Sequence, residues 1–315
     1  MRPLDRLLLI LDRTLVLFVG LAVGAVVTFS FFAGGQPASE AQASIPVLPT
    51  TAAAAPQNRR ATDPMGPRLA MAVAQRRRVE IGVFGDSSGD GVWAGLYNQL
   101  RGDRGFAVHQ LSERSIGFTR YRSLNILDDI RRKLDRQPVD IAVLSFGAND
   151  TQGIFDAGHG NAYMSEGWQR IVTERVSAVV QLLRERGAMV YWVGLPKMRD
   201  AHFDADIHAM NRFYAARMAD LDVPYVETLP LSVDAHGDYA PYLPLQPGSG
   251  GERQMARTND GIHMTIPGYI YVMRGLSDRI RGSVAQARAQ AERVAPASPP
   301  GQAAERSERE GESHS

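Results

Sequence analysis

No cysteine occurs among these 315 residues. That excludes disulfides, thiolate metal sites, cysteine nucleophiles and a lipid-modified N-terminal cysteine. Excess charge is lacking too: 35 lysines and arginines against 34 aspartates and glutamates leave a formal +1, so nothing calls for a nucleic-acid partner. A Gly-Lys-Ser/Thr phosphate loop is absent, and Gly89-x-Gly91-x-x-x-Gly95 has the wrong spacing for a dinucleotide fingerprint. An uncharged run of bilayer-spanning length occurs near the start, LVLFVGLAVGAVVTFSFFAGG from Leu15 to Gly35. Arg2, Arg6 and Arg13 precede it and favour a cytoplasmic N-terminus. Residues 1–35 therefore read as a cytoplasmic N-terminus and transmembrane signal anchor, with all that follows outside the cytoplasm. Ala41-Gln42-Ala43 offers a small-x-small cleavage pattern, so removal as a signal peptide is the alternative.

Residues 36–76 are rich in Ala, Pro, Ser, Thr and Gln without a lasting apolar period. They read as a flexible linker, because such a segment buries too little surface to offset its ordering entropy. Residues 294–315 read as a disordered tail for the same reason. About 210 residues remain between them, enough for one single-core domain over 77–293. There the pattern alternates. Apolar, β-branched runs at 78–85, 106–112, 140–147, 188–196 and 223–229 are separated by helical stretches near 92–101, 124–136, 168–186, 204–220 and 267–286. Continuous apolar strands divided by helices imply an α/β fold, a three-layer α/β/α sandwich around a parallel sheet of about five strands. Sites in such sheets form beyond the carboxyl ends of the strands.

The polar clusters fall at those ends. The first strand runs into Gly85-Asp86-Ser87, the second leads towards Gly117, and the third runs into Gly147-Ala148-Asn149-Asp150. Asp260 and His263 precede the last helix. These residue types suit acyl transfer. A serine hydroxyl needs an adjacent base, which His263 can supply, and Asp260, three residues earlier, can orient the imidazole. The oxyanion of a tetrahedral intermediate needs preorganised donors; the Ser87 and Gly117 backbone N–H groups and the Asn149 amide are the natural set. Asp86 and Asp150 read as braces that accept backbone hydrogen bonds.

FGDSS, SIG, GAND and DGIH match, in order, the four sequence blocks of the SGNH (GDSL-type) hydrolases, and the resemblance covers about Arg78 to Arg281. It implies the flavodoxin-like fold of that family, Ser87 as nucleophile, Gly117 and Asn149 in the oxyanion hole, and Asp260 and His263 completing the triad. It implies no cofactor and no metal. GLPKMRD and DGIHMTIPGY further resemble a bacterial envelope subgroup long labelled a domain of unknown function. Ser87 is favoured over Ser88 by family position, with Ser88 read as a cap of the following helix. A G-x-S-x-G nucleophile elbow is the rival reading of Gly85–Gly89, but that fold places several strands before its serine.

The segment between Leu231 and Asn259 is long and without a clear helix, and loops of this length are often functional. It enters the Asp260–His263 turn, so Tyr239, Tyr242 and Arg257 are candidate contacts for a sugar or carboxylate. His202, Asp204, Asp206 and His208 read as a helix start rather than a metal site, and the basic run at 75–79 as a solvated entry to the first strand. The expectation is a serine esterase of the bacterial inner membrane, single-pass with its domain in the periplasm. Its substrate would be an O-acyl, above all O-acetyl, ester on an envelope polysaccharide or peptidoglycan. An O-acetyltransferase using the same triad, or a non-catalytic envelope scaffold that binds glycan, stays open.

Overall fold

The structure, a computed structural model, describes residues 65–246 and 251–294. The expected anchor, most of the linker and all but the first residue of the tail lie outside the described residues. Among the described residues no helix is long and apolar enough to cross a membrane.

Five parallel strands form the centre: β1 (Val79–Gly85), β2 (Phe106–Gln110), β3 (Ile141–Ser145), β6 (Met189–Val193) and β7 (Tyr225–Val226). Their order is β2-β1-β3-β6-β7, with Ile81 opposite Ile141 and Gly85 opposite Ser145 in the register that brings two polar loops side by side. Every residue of β3 and of β6 is buried, which is why these strands read as unbroken apolar runs instead of alternating ones. Alternation survives as a division of labour between faces. Val79, Ile81, Val83, Ile141, Val143 and Tyr191 pack into one layer, whereas Ala142, Leu144, Phe146, Val190 and Trp192 pack into the other.

The first layer is roofed by α1 (Pro67–Ala74), α2 (Ser87–Leu100), α6 (Ile266–Val272) and α7 (Arg274–Val294). The second is roofed by α3 (Ile126–Arg136), α4 (Glu166–Glu185) and α5 (Ala201–Asp220). Each of α3, α4 and α5 starts at a side-chain cap, respectively Asn125, Ser165 and Asp200, the residue types that satisfy orphan N–H groups at a helix start. Two small antiparallel hairpins complete the chain: β4 (Ile154–Asp156) with β5 (His159–Asn161), and β8 (Tyr242–Leu243) with β9 (Gln254–Met255).

Three sequence expectations need correction. Residues 67–74 are not linker: α1 buries Leu69, Ala72 and Val73 against the sheet layer, so the folded unit starts before 77. The basic run is not merely solvated either. Arg77 grips Asp140 through two hydrogen bonds of 2.6 and 2.7 Å, and Asp140 is fully buried. The fifth strand is also shorter than expected. It ends at Val226, and Pro230 enters a 3-10 turn over Leu229–Leu231, since proline cannot donate to a ladder.

Candidate active site

The strand β1 ends at Gly85, and α2 starts at Ser87 itself. Asp86 is the N-cap: its Oδ1 accepts the Ser88 N–H at 2.8 Å. The serine thus occupies the first helical position, where backbone N–H groups have no intrahelical acceptor. The cap belongs to Asp86 and not to Ser88, which is buried beneath the turn.

Ser87 Oγ lies 2.7 Å from His263 Nε2, and His263 Nδ1 lies 2.7 Å from Asp260 Oδ2. A carboxylate only accepts, so Nδ1 carries the hydrogen and Nε2 is left to accept from the serine hydroxyl. The turn holding both residues is densely bonded. Asp260 Oδ1 accepts Thr258 Oγ1–H at 2.6 Å, Ile262 N–H at 2.8 Å and His263 N–H at 3.0 Å. Partial burial alone would raise the Asp260 pKa, but the hydrogen bonds from Thr258, His263 and the two backbone groups outweigh it and hold the carboxyl well below the usual range.

On the other side of Ser87, the second and third motifs are stitched together. Asn149 Nδ2 donates one hydrogen to Ile116 O at 2.9 Å, which fixes the amide plane and leaves the second N–H without an acceptor among the described residues. Asp150 Oδ1 accepts both the N–H and the hydroxyl of Thr119 at 2.8 Å. A Cβ at Gly117 would sit 2.4 Å from that same oxygen, so only glycine lets the loop close on Asp150. Asp86 and Asp150 are both fully buried. Burial pushes Asp86 up to about 6, with the Asp150 charge adding to the rise and the Ser88 bond opposing it. Burial raises Asp150 as well, against its bonds from Thr119.

The expected substrate contacts fare differently. Tyr242 stands 46% exposed on β8. Tyr239 is half-buried, with the Arg257 guanidinium carbon 4.9 Å from its ring centre. Arg257 is only 2% exposed and turned inward, so it is not placed to meet a sugar, a correction to the sequence reading. In the segment once weighed for metal, Asp204 pairs with Lys197 at 2.8 Å and accepts the Met198 N–H. Among the described residues no group of three or more His, Cys, Asp and Glu could hold a metal. Thr258 was missed from sequence. Its signal was the Thr-x-Asp spacing of a side-chain-capped turn.

A family profile described as a protein of unknown function (DUF459) matches residues 80–279. No curated protein matches the chain. Among solved structures, the chain is similar to a GDSL-like lipase of Bacteroides thetaiotaomicron at 15% identity, with 70% of this chain and 97% of that one covered and a TM-score of 0.44. It is also similar to the periplasmic domain of a Salmonella ser. Paratyphi A lipopolysaccharide acetyltransferase, at 11% identity, 67% and 88% coverage and a TM-score of 0.46. A carbohydrate acetylesterase of Sinorhizobium meliloti is a third, at 15% identity, 65% and 99% coverage and a TM-score of 0.45.

Proposed function

Since the chain belongs to the DUF459 family of SGNH (GDSL-type) proteins, we propose that it is a serine esterase in which Ser87, His263 and Asp260 form the catalytic triad. The observation that carries this reading is the unbroken line of two 2.7 Å hydrogen bonds from Ser87 Oγ through the imidazole to Asp260. His263 Nε2 takes the hydroxyl proton as Oγ attacks the ester carbonyl, and Asp260 stabilises the imidazolium that forms. The oxyanion is received by the Ser87 and Gly117 N–H groups and by the free Asn149 N–H. On collapse, the imidazolium returns its proton to the departing alcohol. Water then repeats the sequence on the acyl-enzyme.

The proposed substrate class is argued from the N-terminal sequence. An apolar run preceded by arginines directs the domain outside the cytoplasm, where acylated polymers are the abundant esters. We therefore assign an O-acyl, foremost O-acetyl, group on an envelope polysaccharide or peptidoglycan, with the inner membrane as anchor. Tyr242, exposed on β8, is the residue offered to such a chain.

The test is labelling with a fluorophosphonate and mapping of the adduct. An adduct on Ser87 that disappears in Ser87→Ala and in His263→Ala is the expected result. A folded protein that takes no label would sink the esterase reading and favour a scaffold.

A further inference from the structure

Arg257 is a cation in an unfavourable place. Its side chain is almost wholly buried, and among the described residues no carboxylate pairs with it. Two of its nitrogens, Nε and Nη1, have no acceptor. Burying an unpaired charge with unmet donors is costly, so a compensating role is called for. Its remaining donor identifies one. Nη2 donates to Ile262 O at 2.8 Å and reaches Gly261 O at 3.5 Å. Both carbonyls belong to the turn that carries Asp260 and His263.

The rest of the surroundings point the same way. Tyr239 presents its ring face to the guanidinium. The Arg257 backbone bridges Met264, one residue past the histidine. The Arg199 N–H also donates to Gly261 O at 3.0 Å. Gly261 itself has φ +75°, a left-handed conformation that favours glycine. Without Arg257, the Ile262 carbonyl would be left without its donor. The 262–263 peptide would then rotate towards water, carrying the His263 N–H off Asp260 Oδ1.

We propose that Arg257 is a positioning residue of the esterase: its guanidinium, held flat by Tyr239, fixes the carbonyls of the Asp260–His263 turn and thereby the approach of His263 to Ser87. The inference rests on the esterase reading and deepens it. Displacing a reacting group by about 1 Å costs roughly 100-fold in rate, so the effect falls on the chemical step and not on substrate affinity.

The experiment compares full-length wild type with Arg257→Met, Arg257→Gln and Arg257→Lys. Three quantities are read: the fluorophosphonate labelling rate of Ser87, kcat and KM on p-nitrophenyl acetate, and the imidazole Nδ1–H proton resonance. Arg257→Met is expected to label ~10–100-fold more slowly, with kcat falling by the same factor and KM unchanged. Its Nδ1–H resonance should lose the downfield position set by Asp260. The Gln and Lys variants keep an N–H donor and should recover part of each signal. Wild-type labelling rates and an unmoved resonance in all three folded variants would overturn the proposal, whatever happens to the melting temperature. A rise in KM alone would overturn it too, by making Arg257 a substrate contact. If wild type itself takes no label, the esterase reading fails, and the resonance still decides the role of Arg257.

Discussion

At the scale of single residues, two adjacent serines show how position decides chemistry. Ser87 and Ser88 carry the same hydroxyl, but the helix starts between strand and site so that Ser87 faces His263 while Ser88 points into the core. The candidate acid and base could be picked out from sequence because DGIH confines them to one turn. Thr258 was not picked out, and Arg257 was read as a substrate contact, because a side chain that bonds a neighbouring carboxylate or a backbone carbonyl leaves no mark in the spacing. Asn149→Ala is expected to lower kcat on p-nitrophenyl acetate by about 100-fold or more with little change in KM, since the amide meets charge only in the transition state; steady-state kinetics checks it. Asp86 gives a second prediction. Its carboxyl titrates higher folded, at about 6, than unfolded. The folded state therefore holds an extra proton between about pH 4 and 6. Stability from this group is complete below about pH 4 and is lost as pH rises through 6, by about 2–3 kcal/mol. Urea denaturation from pH 4 to 8 should show that decline, and Asp86→Asn should flatten it.

Among the elements, the order of strands and helices could be read from apolar periodicity, and the boundaries could not. The stretch SSGDG reads as a loop because glycine is a poor helix former, yet α2 begins at its first residue. Two contacts override propensity there, one local and one tertiary: the Asp86 cap, and Tyr269 of α6 lying across Gly91. A Cβ at Gly91 would stand 1.9 Å from the Tyr269 ring. Gly91→Ala should therefore destabilise the fold by about 1–3 kcal/mol, seen as a lower urea midpoint, and slow Ser87 labelling as α6 is pushed from the site. The helix α1 was hidden in a stretch of linker-like composition. Only eight residues long, it has no stability of its own and is held by packing and by the Arg77–Asp140 pair. Arg77→Met leaves Asp140 buried without its main partner. A loss of about 3 kcal/mol is expected, measurable by denaturation, with the labelling rate per folded molecule unchanged because the pair sits at the amino ends of β1 and β3, away from the carboxyl ends that carry the site.

Across the whole molecule, the parallel sheet is what converts distant motifs into one site. Ser87 and His263 are separated by 176 positions, yet both lie at one edge because every strand of such a sheet ends on the same side. The same packing buries Asp86 and Asp150 beneath that edge. The amino-acid sequence alone determined the alternation of strands and helices and the identity of the chemical groups, since each is written in local periodicity, composition or a short motif. Only the tertiary structure showed that Ser87 Oγ reaches His263 Nε2, that residues 67–74 belong to the fold, and that Arg257 faces inward. These depend on contacts between residues far apart in the chain, and on which side chains the core excludes from water.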